Sequence, residues 1–270
     1  MLASQRQEAI LAAIRRHGAA RVADLVESLG VSDMTVRRDI GELARRGLVL
    51  RVHGGAVDAR RAADEPGFRV KAELFSPEKS AIAAAAVEEI SPGGAVALSA
   101  GTTTHLVARL IAETPSLRPL TVVTNSLPAA DVLSHAAGPD LNVVLIGGTR
   151  TPSDALVGPV ATHALENLRV DVLFLGVHGL DLRAGLTTPN LLEAETDRAL
   201  VAAAGRTVVV ADHSKWGVIG LARIVGLDDV DLVITDDKVP SDATDAASET
   251  VDLVLVHTRA TTPAELGAVP

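Results

Sequence analysis

The chain has 270 residues, 47% of them hydrophobic, no cysteine and a formal net charge of −9. That length has room for two domains, and the lack of Cys excludes disulfides, thiolate zinc sites and Cys nucleophiles together. No apolar run reaches the roughly 18 residues of a membrane span.

The opening MLASQRQEAILAAIRRHG carries charges among its apolar residues, so it does not read as a signal peptide. A cytoplasmic protein with no membrane partner is expected. The charge is unevenly spread: residues 1–60 hold ten Arg against seven acids, a balance of +3, whereas the remainder holds 15 basic residues against 27 acids. Only the first part is suited to phosphate.

Ile10, Leu11 and Ile14 predict a first helix face, ended by His17-Gly18. Val22, Leu25, Val26 and Leu29 predict a second short helix, ended by Gly30. Ser32 is a good N-cap for a third, and Asp33 adds negative charge where the helix dipole favours it. Val36, Ile40 and Leu43 make its apolar stripe, and Gly47 can stop it. Leu48 to Val52 and Ala56 to Val57 read as two short strands joined through His53-Gly54-Gly55. Two helices around a Gly-containing turn, then a hairpin, predict a winged helix-turn-helix over residues 1–57. Its third helix would enter a DNA major groove.

Arg37 and Arg38 sit in the first turns of that helix, with Thr35 beside them. An arginine can take guanine O6 and N7 together. A solvated charge pair is the plainer alternative, but the position favours DNA contact for at least one. Ser32, Arg51 and His53 complete the expected DNA set, the last two on backbone phosphate, which positions without specifying. His53 alternatively serves only the turn. Asp39 would repel phosphate and is expected to be structural, holding an Arg.

The stretch from Arg6 to Val57 resembles the DNA-binding domain of the DeoR family of bacterial transcriptional regulators. The resemblance rests on Val31, Ser32, Thr35, Val36, Arg37, Arg38 and Asp39, then on Gly47, Leu48, Arg51, His53, Gly54, Gly55 and Ala56. Ile40 stands where Leu is usual.

Residues 58–76 are polar and interrupted by Pro66-Gly67. They read as a linker, with a short helix near Arg69 to Leu74. Ser76-Pro77-Glu78 then starts a helix that opens a second domain over residues 77–270. Strands are predicted at Ala95–Ser99, Leu120–Thr124, Asn142–Ile146, Val172–Val177, Thr207–Asp212, Leu232–Thr235 and Leu253–Val256. Most are continuous apolar runs, as in a parallel sheet covered on both faces. Helical stretches near 103–113, 127–136, 159–168 and 190–204 lie between them. The fold class is therefore an open, mostly parallel α/β sheet behind a small winged helix-turn-helix.

Ligands of such sheets bind outside the carboxyl ends of the strands. The residues gathered there are Gly101-Thr102-Thr103-Thr104, Asn125, Gly147-Gly148, Asp181, Asp212 and Lys215. The Gly-Thr cluster opens a helix, where N–H groups and hydroxyls suit a phosphate. Lys215 is one of only four Lys. Taken singly, these are caps and turn residues; together at one sheet edge they predict a polar effector pocket.

This half also resembles the DeoR sensor domain, similar in fold to ribose-5-phosphate isomerase, through Gly101–Thr104, Val123–Leu127, Gly147-Gly148, Phe174–Gly176, Gly185–Thr187 and Asp212–Gly217. The resemblance implies a phosphorylated sugar or polyol effector, operator DNA as partner, a homodimer or homotetramer, and binding without turnover. It departs at two places: Ser99 stands where the family has Asp, and Asp197 at or near its Lys, with Arg198 adjacent. Either Arg198 supplies the missing charge or the site prefers a less anionic ligand.

With no Tyr and one Trp, the chain can hardly stack sugars, so recognition must rest on hydrogen bonds and charge. Trp216, beside Lys215, either stacks or fills core. No G-x-G-x-x-G opens a helix after the first strand, and no cofactor or metal is expected. The expected function is a DNA-binding repressor of a carbohydrate or polyol catabolic operon, controlled by a phosphorylated sugar. The alternative is a sugar-phosphate isomerase fused to a DNA-binding domain, with Asp181, Glu193 or Asp212 as its base.

Overall fold

Three helices and a three-stranded sheet open the chain. The computed structural model describes residues 3–17, 19–46, 48–52, 55–58, 68, 72 and 74–258. Helix α1 is Ala3–His17, α2 Val22–Leu29 and α3 Asp33–Arg45; strands β1, β2 and β3 are Ala19–Arg21, Val49–Val52 and Gly55–Asp58. Gly30 ends α2 in the left-handed conformation, and its N–H donates to the Val26 carbonyl. Val36, Ile40 and Leu43, the stripe read from the sequence, are buried against Ile10, Ile14, Val22 and Leu25. Strands β2 and β3 pair antiparallel as the wing, and β3 also pairs with β1, a strand the sequence did not suggest. Gly47, His53 and Gly54, and the linker helix expected near residues 69–74 at all but Leu74 and Ala72, lie outside the described residues.

The C-terminal α/β domain begins with α4, Ser76–Glu88, which has Pro77 in its first turn as expected. Its main sheet holds β4 Ala95–Leu98, β5 Leu120–Thr124, β6 Leu141–Leu145, β9 Val172–Leu175, β12 Thr207–Val210, β14 Leu232–Asp236 and β15 Asp252–Val256. These are the seven strands predicted. They are all parallel, in the order β15-β14-β12-β9-β4-β5-β6. The expected helices are α5 Thr102–Glu113, α6 Leu127–His135, α7 Pro159–Glu166 and α8 Leu191–Ala203; α9, Ser241–Ser248, was not anticipated.

The continuous apolar runs have a simple cause. Side chains alternate between the two faces of a strand, and both faces are covered. Val96, Leu98, Val172, Phe174, Val208 and Val210 pack with Ile82, Val107 and Leu133 of α4, α5 and α6. Ala97, Leu173, Leu175 and Val209 pack on the other side with Ala161, Leu165, Ala194 and Leu200 of α7 and α8.

Two small additions stand apart from this sheet. One is the hairpin of β7, Thr149–Arg150, with β8, Leu156–Val157. The other is an antiparallel sheet of β10 Gly179–Asp181, β11 Gly185–Thr188 and β13 Ala222–Arg223.

The order of strands fixes where a ligand can enter. From β4 the chain steps to β5 and β6 on one side, then returns to β9 and continues through β12, β14 and β15 on the other. The helices that follow β4 and β9 therefore diverge, and a crevice opens between the carboxyl ends of those two strands.

Candidate functional site

The N-terminus of α3 is an outward-facing surface. Ser32 caps it: its hydroxyl accepts from the Thr35 N–H at 3.4 Å and lies 2.9 Å from the Thr35 hydroxyl. Arg37 is exposed but engaged, its Nε and NH2 donating to the Asp33 carboxylate at 2.5 and 3.3 Å. The hydrogen bond and charge of Asp33 raise the Arg37 pKa above its usual value. Arg38 is exposed too, and among the described residues it has no hydrogen-bond or ion-pair partner. Met34, 80% exposed, is an apolar side chain on the same surface that the sequence reading did not single out.

Asp39 behaves as its chemistry demands. It is buried and accepts from Arg6 Nε at 2.5 Å and Gln7 Nε2 at 3.2 Å, tying α1 to α3. Arg51 sits in β2 opposite Ala56, and His53 is outside the described residues.

The crevice between β4 and β9 holds an open cleft. Ala100, Gly101, Thr102 and Thr103 line it after β4; Gly176, Val177 and His178 after β9; Ala211 and Lys215 after β12. Gly101 is the N-cap of α5 and has no side chain with which to cap it. The first helical bond runs from the His105 N–H to the Gly101 carbonyl at 3.1 Å. The N–H groups before it depend on partners outside the helix, and the dipole there favours an anion. Lys215 ends a 3-10 turn, His213–Lys215, whose N-cap is the buried Asp212. One Asp212 oxygen accepts from the Ser214 N–H at 3.0 Å and from the Ser214 hydroxyl. Asp212 therefore positions the turn that delivers Lys215.

The opposite wall is acidic. Glu193, in the first turn of α8, is 9% exposed. Its Oε1 accepts from Thr151 at 2.8 Å and Ser153 at 2.5 Å, and its Oε2 from Thr188 at 3.2 Å. Asp197, one turn on, lines the cleft as well. Arg198 points elsewhere, bonding to the Arg223 carbonyl outside the cleft lining.

Of the predicted effector set, Gly101, Thr102, Thr103 and Lys215 meet at this cleft. Thr104 is buried behind it, donating to the Gly101 carbonyl at 3.1 Å. The others lie outside the lining. Asn125 donates to the Leu156 carbonyl at 3.2 Å. Gly147 lies against Val160. Gly148 is a close crossing: with φ +146°, a Cβ there would stand 2.6 Å from the Val157 carbonyl. Asp181 accepts from the Arg183 and Ala184 N–H groups, both at 2.9 Å, in the turn between β10 and β11.

Ser99 is wholly buried and accepts from the Gly176 N–H at 2.9 Å, joining β4 to β9 beneath the cleft. Trp216 is buried, outside the cleft lining, with its indole N–H on the Thr235 hydroxyl at 3.1 Å; of its two expected roles, it fills core. Sequence reasoning did not place Phe68, Ser153 or Thr188 in the site; it named Asp197 only as a departure from the family pattern and Glu193 only as a catalytic base.

Comparison with known proteins agrees with both ends of this architecture. Residues 6–61 match the DeoR-like helix-turn-helix domain, and residues 75–237 match the DeoR C-terminal sensor domain. The chain belongs to the DeoR family. The HTH-type transcriptional regulator GlpR of Haloferax volcanii is 39% identical over 244 residues, 90% of this chain and 93% of that one. The glycerol-3-phosphate regulon repressor of Escherichia coli K12 is 32% identical over 241 residues, 89% of this chain and 93% of that one. A solved ribose 5-phosphate isomerase A from Methanocaldococcus jannaschii aligns at 18% identity over 51% of this chain and 53% of its own, with a TM-score of 0.37. In DeoR terms, α3 belongs to the helix-turn-helix region and the cleft to the sensor region. Among the described residues no helix is long and apolar enough to cross a membrane.

Proposed function

We propose that this DeoR protein is a cytoplasmic repressor of a carbohydrate or polyol catabolic operon, released or retained on its operator by a phosphorylated sugar or polyol. One observation carries the effector assignment: the uncapped N-terminus of α5 and the side chain of Lys215 line one cleft at the strand-order reversal. Helix N–H groups and an ammonium make a phosphate site. The phosphate would occupy the first turn of α5 beside Lys215, with Gly101, Thr102 and Thr103 as its cradle. The hydroxyls of the ligand would face Glu193 and Asp197. That division suits a ligand with one charged end and one hydroxyl-rich end. The name of the E. coli relative, a glycerol-3-phosphate regulon repressor, supports the same class.

On the DNA side, Ser32, Thr35, Arg37 and Arg38 would face the major groove, with Arg51 and His53 on phosphate. Arg38 is the favoured base reader because Arg37 is already engaged by Asp33. The division of labour falls at residues 1–57, 58–76 and 77–270, and the functional unit is a homodimer or homotetramer that presents paired recognition helices to paired half-sites.

Turnover is not part of this reading. Glu193, the best-placed carboxylate in the cleft, already accepts three hydroxyl hydrogen bonds, so both of its oxygens are tied to the cleft wall. Trp216 is the only tryptophan and adjoins Lys215, so its emission reports on the turn. Titrating glycerol 3-phosphate, ribose 5-phosphate, fructose 1-phosphate and inorganic phosphate should give saturable quenching or enhancement with at least one sugar or polyol phosphate. Product analysis of the same mixtures should show no isomerisation. No response to any of them, or steady product formation, would overturn the assignment.

A further inference from the structure

Aromatic side chains are scarce here: three Phe, one Trp and no Tyr. Phe174 is wholly buried in the main sheet. The other two, Phe68 and Phe75, lie between the helix-turn-helix and the α/β domain, and each meets a histidine edge-on. The Phe68 ring stands 5.2 Å from that of His105, with the planes at 89°. His105 is in the first turns of α5, and Phe68 itself forms part of the cleft wall beside Gly101 and Thr102.

Phe75 stands 5.0 Å from His213, with the planes at 81°. His213 opens the turn that ends at Lys215, and it is fixed by bonds from its N–H and ring to Asp236 at 2.7 and 2.8 Å. The Arg21 guanidinium lies over the Phe75 ring, 4.6 Å from its centre, a distance at which cation and ring attract. Arg21 ends β1 and is the N-cap residue of α2 in the helix-turn-helix domain. Phe75 also holds a left-handed backbone, φ 55°, at the N-cap of α4. A bulky residue adopts that conformation only where its surroundings hold it there.

We propose that Phe68 and Phe75 couple the effector site to the helix-turn-helix domain: Phe68 supplies a wall of the cleft, and Phe75, held between Arg21 and His213, ties the turn that carries Lys215 to the start of α2. This rests on the preceding reading of the cleft as a sugar-phosphate site. A ligand shifts an equilibrium only if it binds two states unequally. Phe75 packs on the turn that carries Lys215 and under Arg21, so a ligand that shifts this turn acts on the Arg21 contact as well.

The test uses the full chain, with Phe68→Ala, Phe75→Ala and the conservative Phe68→Leu. Operator affinity is measured without and with each of the four probes named above. Operator affinity without probe sets each variant's own baseline. Where a probe changes wild-type affinity by the roughly 5–150-fold typical of allosteric coupling, that ratio should fall toward 1 in Phe68→Ala and Phe75→Ala and be partly restored in Phe68→Leu. A second readout needs no ligand. Burial holds His105 below the usual histidine pKa; Arg109 acts in the same sense, and a bond to the Pro128 backbone and the charge of Asp131 oppose it. Removing the Phe68 ring should move the His105 NMR titration upward, and an unmoved titration would show that Phe68 does not sit there. If wild type responds to a probe and both alanine variants respond equally, the coupling proposal falls alone. If wild-type operator affinity ignores every probe, the effector reading fails and the proposal falls with it.

Discussion

Helix α3 and helix α5 begin in opposite ways. Helix α3 satisfies its own first turn through Ser32 and turns its charged side chains outward. Helix α5 begins at Gly101, has no side-chain cap, and buries Thr102, Thr103 and Thr104. The first has its N–H groups partly spoken for and offers cations to something larger than itself. The second offers unspoken-for N–H groups to something small enough to enter a cleft. A helix N-terminus is thus put to two uses, and the side chain at the N-cap separates them. The charge distribution runs the same way, basic through residue 60 and acidic beyond it.

The contrast can be broken on one side at a time. The largest effect is expected from Ile40→Ala. Ile40 is 2% exposed in the small helix-turn-helix core, and deleting such a side chain costs about 2–5 kcal/mol. Operator binding should collapse while the Trp216 response to a sugar phosphate persists; loss of both would mean that the two regions do not fold independently. Next is Arg38→Ala, expected to weaken operator binding by about 1–3 kcal/mol if that side chain reads a base, with melting temperature unchanged. Equal operator affinity in a gel-shift titration would move the reading role to Arg37.

The smallest effect concerns acid. Burial pushes Asp236 up, but the bonds and charge of His213 and the Lys238 N–H outweigh it and hold Asp236 below the usual carboxylate value. A group depressed on folding contributes stability above its unfolded pKa and loses it as pH falls through the folded one. The thermal midpoint of the α/β domain should therefore drop below about pH 4, less steeply in Asp236→Asn. An identical acid slope in the variant would remove Asp236 from this role.

Much of this was legible before the structure. Seven strands and both helices of the helix-turn-helix announce themselves because a buried parallel sheet and an amphipathic helix write strong local patterns. A structural Asp39 holding an arginine followed from chemistry, since a carboxylate has no place facing phosphate; that the arginine is Arg6 came from the structure. What stayed hidden is what lacks such a pattern. Strands β7, β8 and β13 are two residues long, too short for any period, and α9, SDATDAAS, has almost no apolar stripe. Glu193 sits three residues after the N-cap Asn190, where a carboxylate reads as a capping residue.

Part of the expected effector set lies outside the cleft lining for a geometric reason. Strand ends define an edge, and neighbouring strands are about 4.8 Å apart, so the end of β6 lies two strands from β4. Only the strand order shows which point of that edge opens. Asn125, Gly147, Gly148 and Asp181 share the edge with Gly101 and Lys215 but lie outside the cleft lining. Phe68 and Phe75 belong to a segment whose sequence carries no period at all.

The most direct test measures operator affinity for wild type and Lys215→Ala, with and without sugar phosphate, on a duplex selected from a randomised pool. The account predicts equal affinity for both proteins without ligand, a ligand-dependent change in wild type, and at least a tenfold higher ligand requirement in the variant, as loss of a charged hydrogen bond worth about 1.5–3 kcal/mol implies. A variant that responds at the same ligand concentration as wild type, or a wild type that selects no duplex at low salt, would contradict it.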